Sequence, residues 1–475
     1  MRQTLILIIL VLSVRAQAQD SVYKEPIAVI DTWIEAQMAY EKIPGVTVAI
    51  IKDQQLVWSK GYGYADVENK VPMKDGSLCS ICSISKLFTS IAIMQLWEQG
   101  KLRLDDSVSM YLPHFKVKQE FESVPITIRG LLTHSAGLPR ESMQPYWSQP
   151  YVFPTEKEIN DRLGEQETIY PSSREFQYSN LGMSLLGQIV AKVSGMPYEQ
   201  YVQEKILKPM QLGNTRPTMP KELYGGQLAK GYSGVNRQGL RHLMPFFTAN
   251  GVTPAAGFSS SAVDLGKFMM WQNRVLKTGK AEVLKASTLR EMQRVQWHDP
   301  AGSSNWGLGF IVDDKGGDKM VGHDGACPGY RTITWLDTKT GIGVAVFINA
   351  LGVNPAKFAD GILKVLNSYA STSVQRPMAD VSAYEGIYDA DAEWGSEQAI
   401  FPWKGKLIMM ALPTSDPIGS RPRLIKSTPT KDLFRFDRAD DLPGLPLRFE
   451  RDGSGRVKGY WFNSNYRMKS NYTPN

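Results

Sequence analysis

Two strand pairs lying far apart in the chain constrain the fold more than any other feature of this sequence. Gly45 to Lys52 (GVTVAIIK) and Gln55 to Lys60 read as strands joined at the turn pair Asp53-Gln54. Arg331 to Asp337 and Ile342 to Asn349 read as a second pair, with Thr338-Lys339-Thr340-Gly341 as the turn. Between them, residues 105–300 mix helical patterns such as Leu181 to Val193 with loops marked by proline and glycine. Helical spacing also appears before the first pair, where Ile27, Ile30, Trp33, Ile34 and Met38 punctuate Pro26 to Tyr40, and after the second, over Lys357 to Tyr369. Sheet pieces contributed by both ends of one region, with a helical block between, predict an α/β (α+β) architecture. The expected form is an antiparallel sheet flanked by helices, with an inserted all-helical lobe.

The texture changes near the C-terminus. Residues 371–380 are polar, carry Pro377 and read as a linker. Beyond them come short alternating runs: Tyr384 to Tyr388, Leu407 to Ala411, Leu433 to Asp437, Leu447 to Arg451 and Val457 to Asn463. Asp452-Gly453-Ser454-Gly455 is a strong hairpin turn. Residues 381–475 are therefore expected to form a small antiparallel β-domain, a barrel or a curled sheet. At the other end, Arg2, the apolar run Leu5 to Leu12 and Ala16-Gln17-Ala18 have the order of a cleavable signal peptide over residues 1–18. The apolar run is shorter than the roughly 20 residues a membrane-spanning helix needs. A periplasmic or secreted protein is expected, with no transmembrane segment after processing and a main domain over 19–370.

Bulk properties narrow the classes. Hydrophobic residues make up 42% of 475, enough for at least one large core. The formal charge of +7 is spread along the chain rather than gathered in arms or stripes, so no nucleic-acid footprint is visible. Three cysteines, Cys79, Cys82 and Cys327, are too few for a disulfide scaffold. With five histidines, a structural zinc site is not expected either. No metal or organic cofactor is called for.

The chemistry is focused at Cys82-Ser83-Ile84-Ser85-Lys86-Leu87-Phe88. A serine hydroxyl is a poor nucleophile until a base takes its proton. Serine and lysine three apart on a helix share one face, and the lysine accepts the proton once burial or a nearby positive charge lowers its pKa. A helix N-terminus at the serine also aims backbone N–H groups at developing negative charge. Ser-x-x-Lys by itself is a weak signal, and it recurs at Ser21-Val22-Tyr23-Lys24 without a supporting pattern.

The first match has companions: Tyr178-Ser179-Asn180 at the start of a helical stretch, and His323-Asp324-Gly325 just ahead of a predicted strand. In this chain order the three motifs resemble the serine penicillin-recognising family, which comprises class C β-lactamases, D-alanyl-D-alanine carboxypeptidases, D-aminopeptidases and related esterases. Gly61 to Asp66, Leu131 to Pro139, Ala256 to Ser260 and Trp306 to Gly309 are similar to further family landmarks, so the resemblance covers residues 26–370. It implies a β-lactamase/DD-peptidase-like fold and an exported serine hydrolase acting on an amide, peptide or ester, with D-amino-acid peptides in view. The terminal segment resembles the small β-barrel domains appended to exported relatives.

Carried over residue by residue, the resemblance makes Ser83 the nucleophile and Lys86 the proton acceptor. Tyr178 becomes the residue that passes the proton to the leaving group, and Asn180 a hydrogen-bond partner of the substrate amide. The third motif, with His323 and Gly325, stands where many relatives have Lys-Thr-Gly. The backbone N–H groups of Ser83 and Ala326 would form the oxyanion hole. His134 sits in a family-like segment without a catalytic role and reads as structural. Cys327 is placed near the same site, so a bridge to Cys82 or to Cys79 is open.

Here the sequence departs from the efficient β-lactamases, which keep a lysine in the third motif to meet a carboxylate. A neutral imidazole is a weaker partner for that group, which argues against strong β-lactam hydrolysis while leaving acyl transfer intact. Two alternatives remain: a true β-lactamase, and a former enzyme kept for binding peptidoglycan or a partner. A Ser-His-Asp triad is disfavoured because no Gly-x-Ser-x-Gly elbow occurs. The partner expected is a small-molecule or peptide substrate, with oligomeric state open.

Overall fold

A computed structural model describes residues 2–121, 124–298, 304–315, 317–373, 380–389, 396–419, 423–438, 440 and 442–470. Most of the expected linker, residues 374–379, lies outside the described residues. The chain divides into two compact units, Ile43–Ala359 and a second made of Met1–Lys42 with Asp360–Asn475.

In the unit Ile43–Ala359 the two strand pairs meet directly. Gly45–Lys52 pairs antiparallel with Gln55–Asp66 on one side and with Ile342–Ile348 on the other. Lys52 pairs with Gln55 across the tight turn, where Asp53 takes a left-handed φ of 56°. Among the described residues the finished sheet has nine strands and runs from Val71–Pro72 through these three, then Tyr330–Asp337, Asp318–Cys327 and Ile311–Lys315, to two short strands at the far edge. All of its pairings are antiparallel. The near-continuous apolar run of Gly45–Lys52 follows from burial on both faces: seven of its eight residues are buried. Helix Ala262–Thr278 packs on this strand and on Ile342–Ile348.

The helical block builds the second wall. Helix Ser85–Glu98 is buried at eleven of its fourteen positions, so it is apolar nearly all round rather than amphipathic. It ends at Gly100, whose φ of +68° is the left-handed conformation that closes a helix C-terminus. Asn180–Ser194 crosses it. At Gly187 a Cβ would fall 2.2 Å from the Pro254 ring, so glycine there lets the segment Thr253–Ala256 reach the same place.

His323-Asp324-Gly325 does precede the expected strand, Tyr330–Asp337, and it also lies inside a further strand that was not expected, Asp318–Cys327, in register with Thr332 to Thr334. Met320, Val321, Gly322 and His323 are buried in succession, so the strand alternates only from His323 onward, too short a run to read.

In the other unit, helix Arg2–Glu41 packs on strands Glu397–Trp403 and Lys406–Leu412. Trp33 lies where a Cβ on Gly361 would meet its ring at 2.3 Å, and its indole N–H donates to the Thr414 carbonyl at 2.9 Å. Eight strands follow one another in order as an antiparallel sheet. Its first and last strands are joined by a bridge, Tyr388 to Lys469, with Asp389 N–H donating to the Met468 carbonyl at 2.8 Å. The sheet thus curls until its edges meet, around Tyr384, Tyr388, Phe434, Phe449 and Tyr460. Strands Glu397–Trp403, Arg423–Ser427 and Asn465–Met468 were not evident from alternation.

Candidate active site

Ser83 sits in a single tight turn, Cys82–Ile84, that feeds helix Ser85–Glu98. Ser85 fixes the junction: its hydroxyl donates to the Cys82 carbonyl at 2.6 Å and accepts from Phe258 N–H at 3.1 Å. One helical turn on, Lys86 is fully buried, and its Nζ has three oxygen neighbours. They are Ser83 Oγ at 3.1 Å, Asn180 Oδ1 at 2.8 Å and the Ala255 carbonyl at 2.8 Å. A neutral lysine has two N–H groups and one lone pair. Asn180 Oδ1 and the Ala255 carbonyl can only accept, so they take the two N–H groups and the lone pair is left for the serine hydroxyl.

Electrostatics favour that form. Burial is the main force bringing the Lys86 pKa down to about 7; Glu141 opposes it, Arg140 adds to it and Asp324 opposes it. Tyr178 moves the other way. Burial holds its hydroxyl well above the ordinary tyrosine value, although a hydrogen bond with Ser83 pulls it down. The phenol therefore keeps its proton through the pH range in which Lys86 loses its own. Lys86 Nζ and the Arg140 guanidinium each stand 4.8 Å from the Tyr178 ring centroid.

The Tyr178 loop is held by His134. Its Nδ1 accepts from Ser179 N–H at 3.1 Å, its carbonyl accepts from Gln177 N–H at 2.7 Å, and its ring lies 4.3 Å from the Tyr178 ring. Burial pushes the imidazole pKa well below the usual value, so the ring is neutral and Nδ1 is free to accept. Ser179 caps helix Asn180–Ser194 by accepting from Gly182 N–H at 2.9 Å. Asn180 is thereby placed with its amide between Lys86 and Glu141, donating to Glu141 Oε1 at 2.8 Å.

Sequence reading did not anticipate Arg140, Glu141 or Ala255. The first two directly follow the Leu131 to Pro139 segment, and Ala255 directly precedes the Ala256 to Ser260 segment, so each lay one or two positions outside a recognised landmark. Glu141 also receives the Tyr146 hydroxyl and lies 3.2 Å from Arg140 Nε.

The third motif closes the far side. His323 is buried, and its Nδ1 donates to the Asp324 carbonyl at 2.5 Å, which leaves Nε2 as an acceptor. Burial lowers its pKa to about 4, so the ring is neutral near pH 7 and the Asp324 carboxylate 4.0 Å away makes no ion pair with it. Its ring centroid is 5.6 Å from Trp306 and 6.5 Å from Tyr178. Gly325 lies against the nucleophile's turn, where a Cβ would come within 2.5 Å of the Ile81 carbonyl and 2.9 Å of Cys82 Cβ. Ala326 follows on the exposed side of the strand. A disulfide joins Cys82 to Cys327, with Cα atoms 5.6 Å apart, and Cys79 is a buried free thiol. Among the described residues, no group of three or more His, Cys, Asp or Glu side chains is arranged to hold a metal ion.

Seven residues singled out from sequence thus occupy three segments: the nucleophile's turn and helix, the start of Asn180–Ser194, and the strand Asp318–Cys327. Direct hydrogen bonds link Ser83, Lys86 and Asn180, and Ser83 is close enough to Tyr178 to act on its proton affinity.

Comparison with known proteins gives the same assignment. The family model described as Beta-lactamase matches residues 30–366. "Protein flp" of Staphylococcus aureus (strain MW2) is 30% identical over 330 residues, which is 67% of this chain and 62% of that protein. The chain thus spans less than two thirds of the length of that curated relative. Among solved structures, the octameric penicillin-binding protein homologue from Pyrococcus abyssi superposes with a TM-score of 0.64 at 25% identity, covering 94% of this chain and 100% of that one. The D-amino acid amidase from Ochrobactrum anthropi SV3, complexed with D-phenylalanine, superposes with a TM-score of 0.60 at 24% identity, covering 72% and 99%; this second likeness bears on the fold alone. With the family model matching residues 30–366, most of its length, the chain belongs to the beta-lactamase family.

Proposed function

We propose that the protein is an exported serine hydrolase that forms an acyl-enzyme on Ser83. The observation that carries this reading is the Lys86 amine, held at 2.8 Å by Asn180 Oδ1 and by the Ala255 carbonyl with Ser83 Oγ at 3.1 Å, so that in its neutral form the lone pair is left for the serine. In the reaction, the Ser83 proton passes to Lys86 Nζ as Oγ bonds to the substrate carbonyl carbon. The resulting oxyanion is met by Ser83 N–H and Ala326 N–H. Tyr178, still protonated, gives its proton to the leaving group as the carbonyl re-forms, and Lys86 restores the proton to Tyr178. Water then repeats the sequence on the ester and releases the acid.

Substrates without a carboxylate beside the scissile bond are favoured, because the third motif offers a neutral imidazole rather than a cation. Amides, peptides or esters of D-amino acids are the proposed class. Export is supported by the Cys82–Cys327 bridge, since disulfides persist in oxidising compartments. Intact-protein mass after treatment with a fluorophosphonate, and separately with a penicillin, tests the reading, with Ser83→Ala as control. An adduct with the fluorophosphonate that disappears in the variant is expected. A transient penicillin adduct that turns over would favour the β-lactamase alternative, and no adduct with either reagent would favour a binding protein.

A further inference from the structure

The two oxyanion donors belong to segments that are distant in sequence. Ser83 N–H sits on the turn Cys82–Ile84, and Ala326 N–H on the strand Asp318–Cys327. Cys82 is the residue immediately before the first donor, and Cys327 is the residue immediately after the second. Their disulfide spans 245 residues of chain and connects the two backbones one residue from each donor.

The noncovalent seam at this point is close. Thr332 Oγ1 donates to the Ile81 carbonyl at 3.1 Å, Ser80 Oγ lies 3.2 Å from Cys327 Sγ, and Gly325 supplies no side chain. Cys82 itself has a left-handed φ of 51°, a region that residues with a Cβ adopt rarely and keep only where the surroundings hold them. Both cysteines are buried, so the bridge is shielded from solvent. The third thiol, Cys79, is pushed up to about 12 by burial and does not supply a thiolate to reshuffle the pair.

We propose that the Cys82–Cys327 disulfide is a positioning element for catalysis: it fixes the spacing of the Ser83 and Ala326 N–H groups, and so keeps the oxyanion hole assembled. The proposal rests on the acyl-enzyme reading of Ser83. Oxyanion donors act by being held in place before charge develops, so loosening one donor weakens transition-state binding more than it weakens ground-state binding. The base is not involved, because the oxygen neighbours of Lys86 lie on Ser83, Asn180 and Ala255, none of them a bridge residue.

The test compares the oxidised wild type, the wild type reduced with dithiothreitol and checked by thiol count, and the double variant Cys82→Ala/Cys327→Ala. Each is reacted with a fluorophosphonate over a range of concentrations and pH values, with thermal unfolding recorded alongside. Reduction and the double variant should each lower the maximal rate of Ser83 modification by about tenfold or more. The half-saturating concentration and the pH midpoint should not move, and reoxidation should restore the wild-type rate. Equal maximal rates in the three forms would overturn the proposal. So would a loss accompanied by a shifted pH midpoint, which would mark general disruption of the site. If the double variant does not fold, the reduced wild type decides between these outcomes. An oxidised wild type that takes no label would overturn the hydrolase reading itself, and the proposal with it.

Discussion

Lys86 Nζ lies 3.1 Å from Ser83 Oγ inside a buried pocket whose other acceptors, Asn180 Oδ1 and the Ala255 carbonyl, are each 2.8 Å away. That relationship makes the lysine a base because it has room for two protons on oxygen acceptors and a reason, burial, to give up the third.

Lys86→Arg should abolish acylation as fully as Lys86→Ala, since a guanidinium does not release its proton in this range. The loss expected for removing a general base is about 10²–10⁴-fold. The rate of fluorophosphonate modification of Ser83 measures it. Substantial activity in the arginine variant would show that charge, not proton acceptance, is what the site needs.

The wild-type acylation rate should rise with pH and level off above about 7, the value to which burial brings Lys86. Stability carries the same signature. Unfolded, Lys86 keeps its proton up to about pH 10.4; folded, it releases it near pH 7. Between those values the unfolded state binds the extra proton, so the Lys86 contribution to unfolding free energy rises with pH and its penalty is greatest below about pH 7. Denaturant unfolding of wild type and Lys86→Met across pH 6–10 should show the wild type gaining on the variant as pH rises.

Asn180→Asp places a carboxylate where a neutral amide oxygen now accepts from Lys86 at 2.8 Å. The new charge stabilises the ammonium, so the pH–rate profile should move to higher pH and the rate at pH 7 should fall. An unshifted midpoint would mean that Asn180 does not set the lysine's proton affinity.

Gly325→Ala should damage both stability and rate. Its Cβ would meet the Ile81 carbonyl and Thr332 Oγ1 at 2.5 Å, so the strand must move away from the nucleophile's turn. Overpacking of this kind costs about 1–3 kcal/mol. Thermal unfolding and Ser83 modification together check it, and a variant as stable and reactive as wild type would show that the seam tolerates displacement.

The motif residues could be read from sequence because their chemistry is local. Ser83 and Lys86 are one helical turn apart, and Tyr178 and Asn180 start a helix with a cap between them. Strand pairs such as Gly45–Lys52 with Gln55–Asp66 were legible for the same reason, since a turn pair and apolar runs lie side by side. The strand containing His323 was not, because Met320 to His323 are buried in succession and the alternation that marks a strand begins only at His323. Three strands of the terminal sheet escaped as well; two of them, Glu397–Trp403 and Asn465–Met468, meet their neighbours across the two-residue turns Lys404-Gly405 and Asn463-Ser464, which sequence reading passed over.

What the amino-acid order determined by itself is the set of reactive groups and their short-range spacing: a serine and lysine on one helix face, a tyrosine before a helix cap, and a histidine where relatives carry lysine. Tertiary structure alone decided their chemistry. Burial, not spacing, brings Lys86 to about 7 and His323 to about 4. Long-range packing supplies Ala255, Glu141 and Arg140, which no motif marked. It also selects Cys82 rather than Cys79 as the partner of Cys327. A proton affinity and a disulfide partner depend on what surrounds a group in space, and those neighbours come from parts of the chain up to 245 residues away.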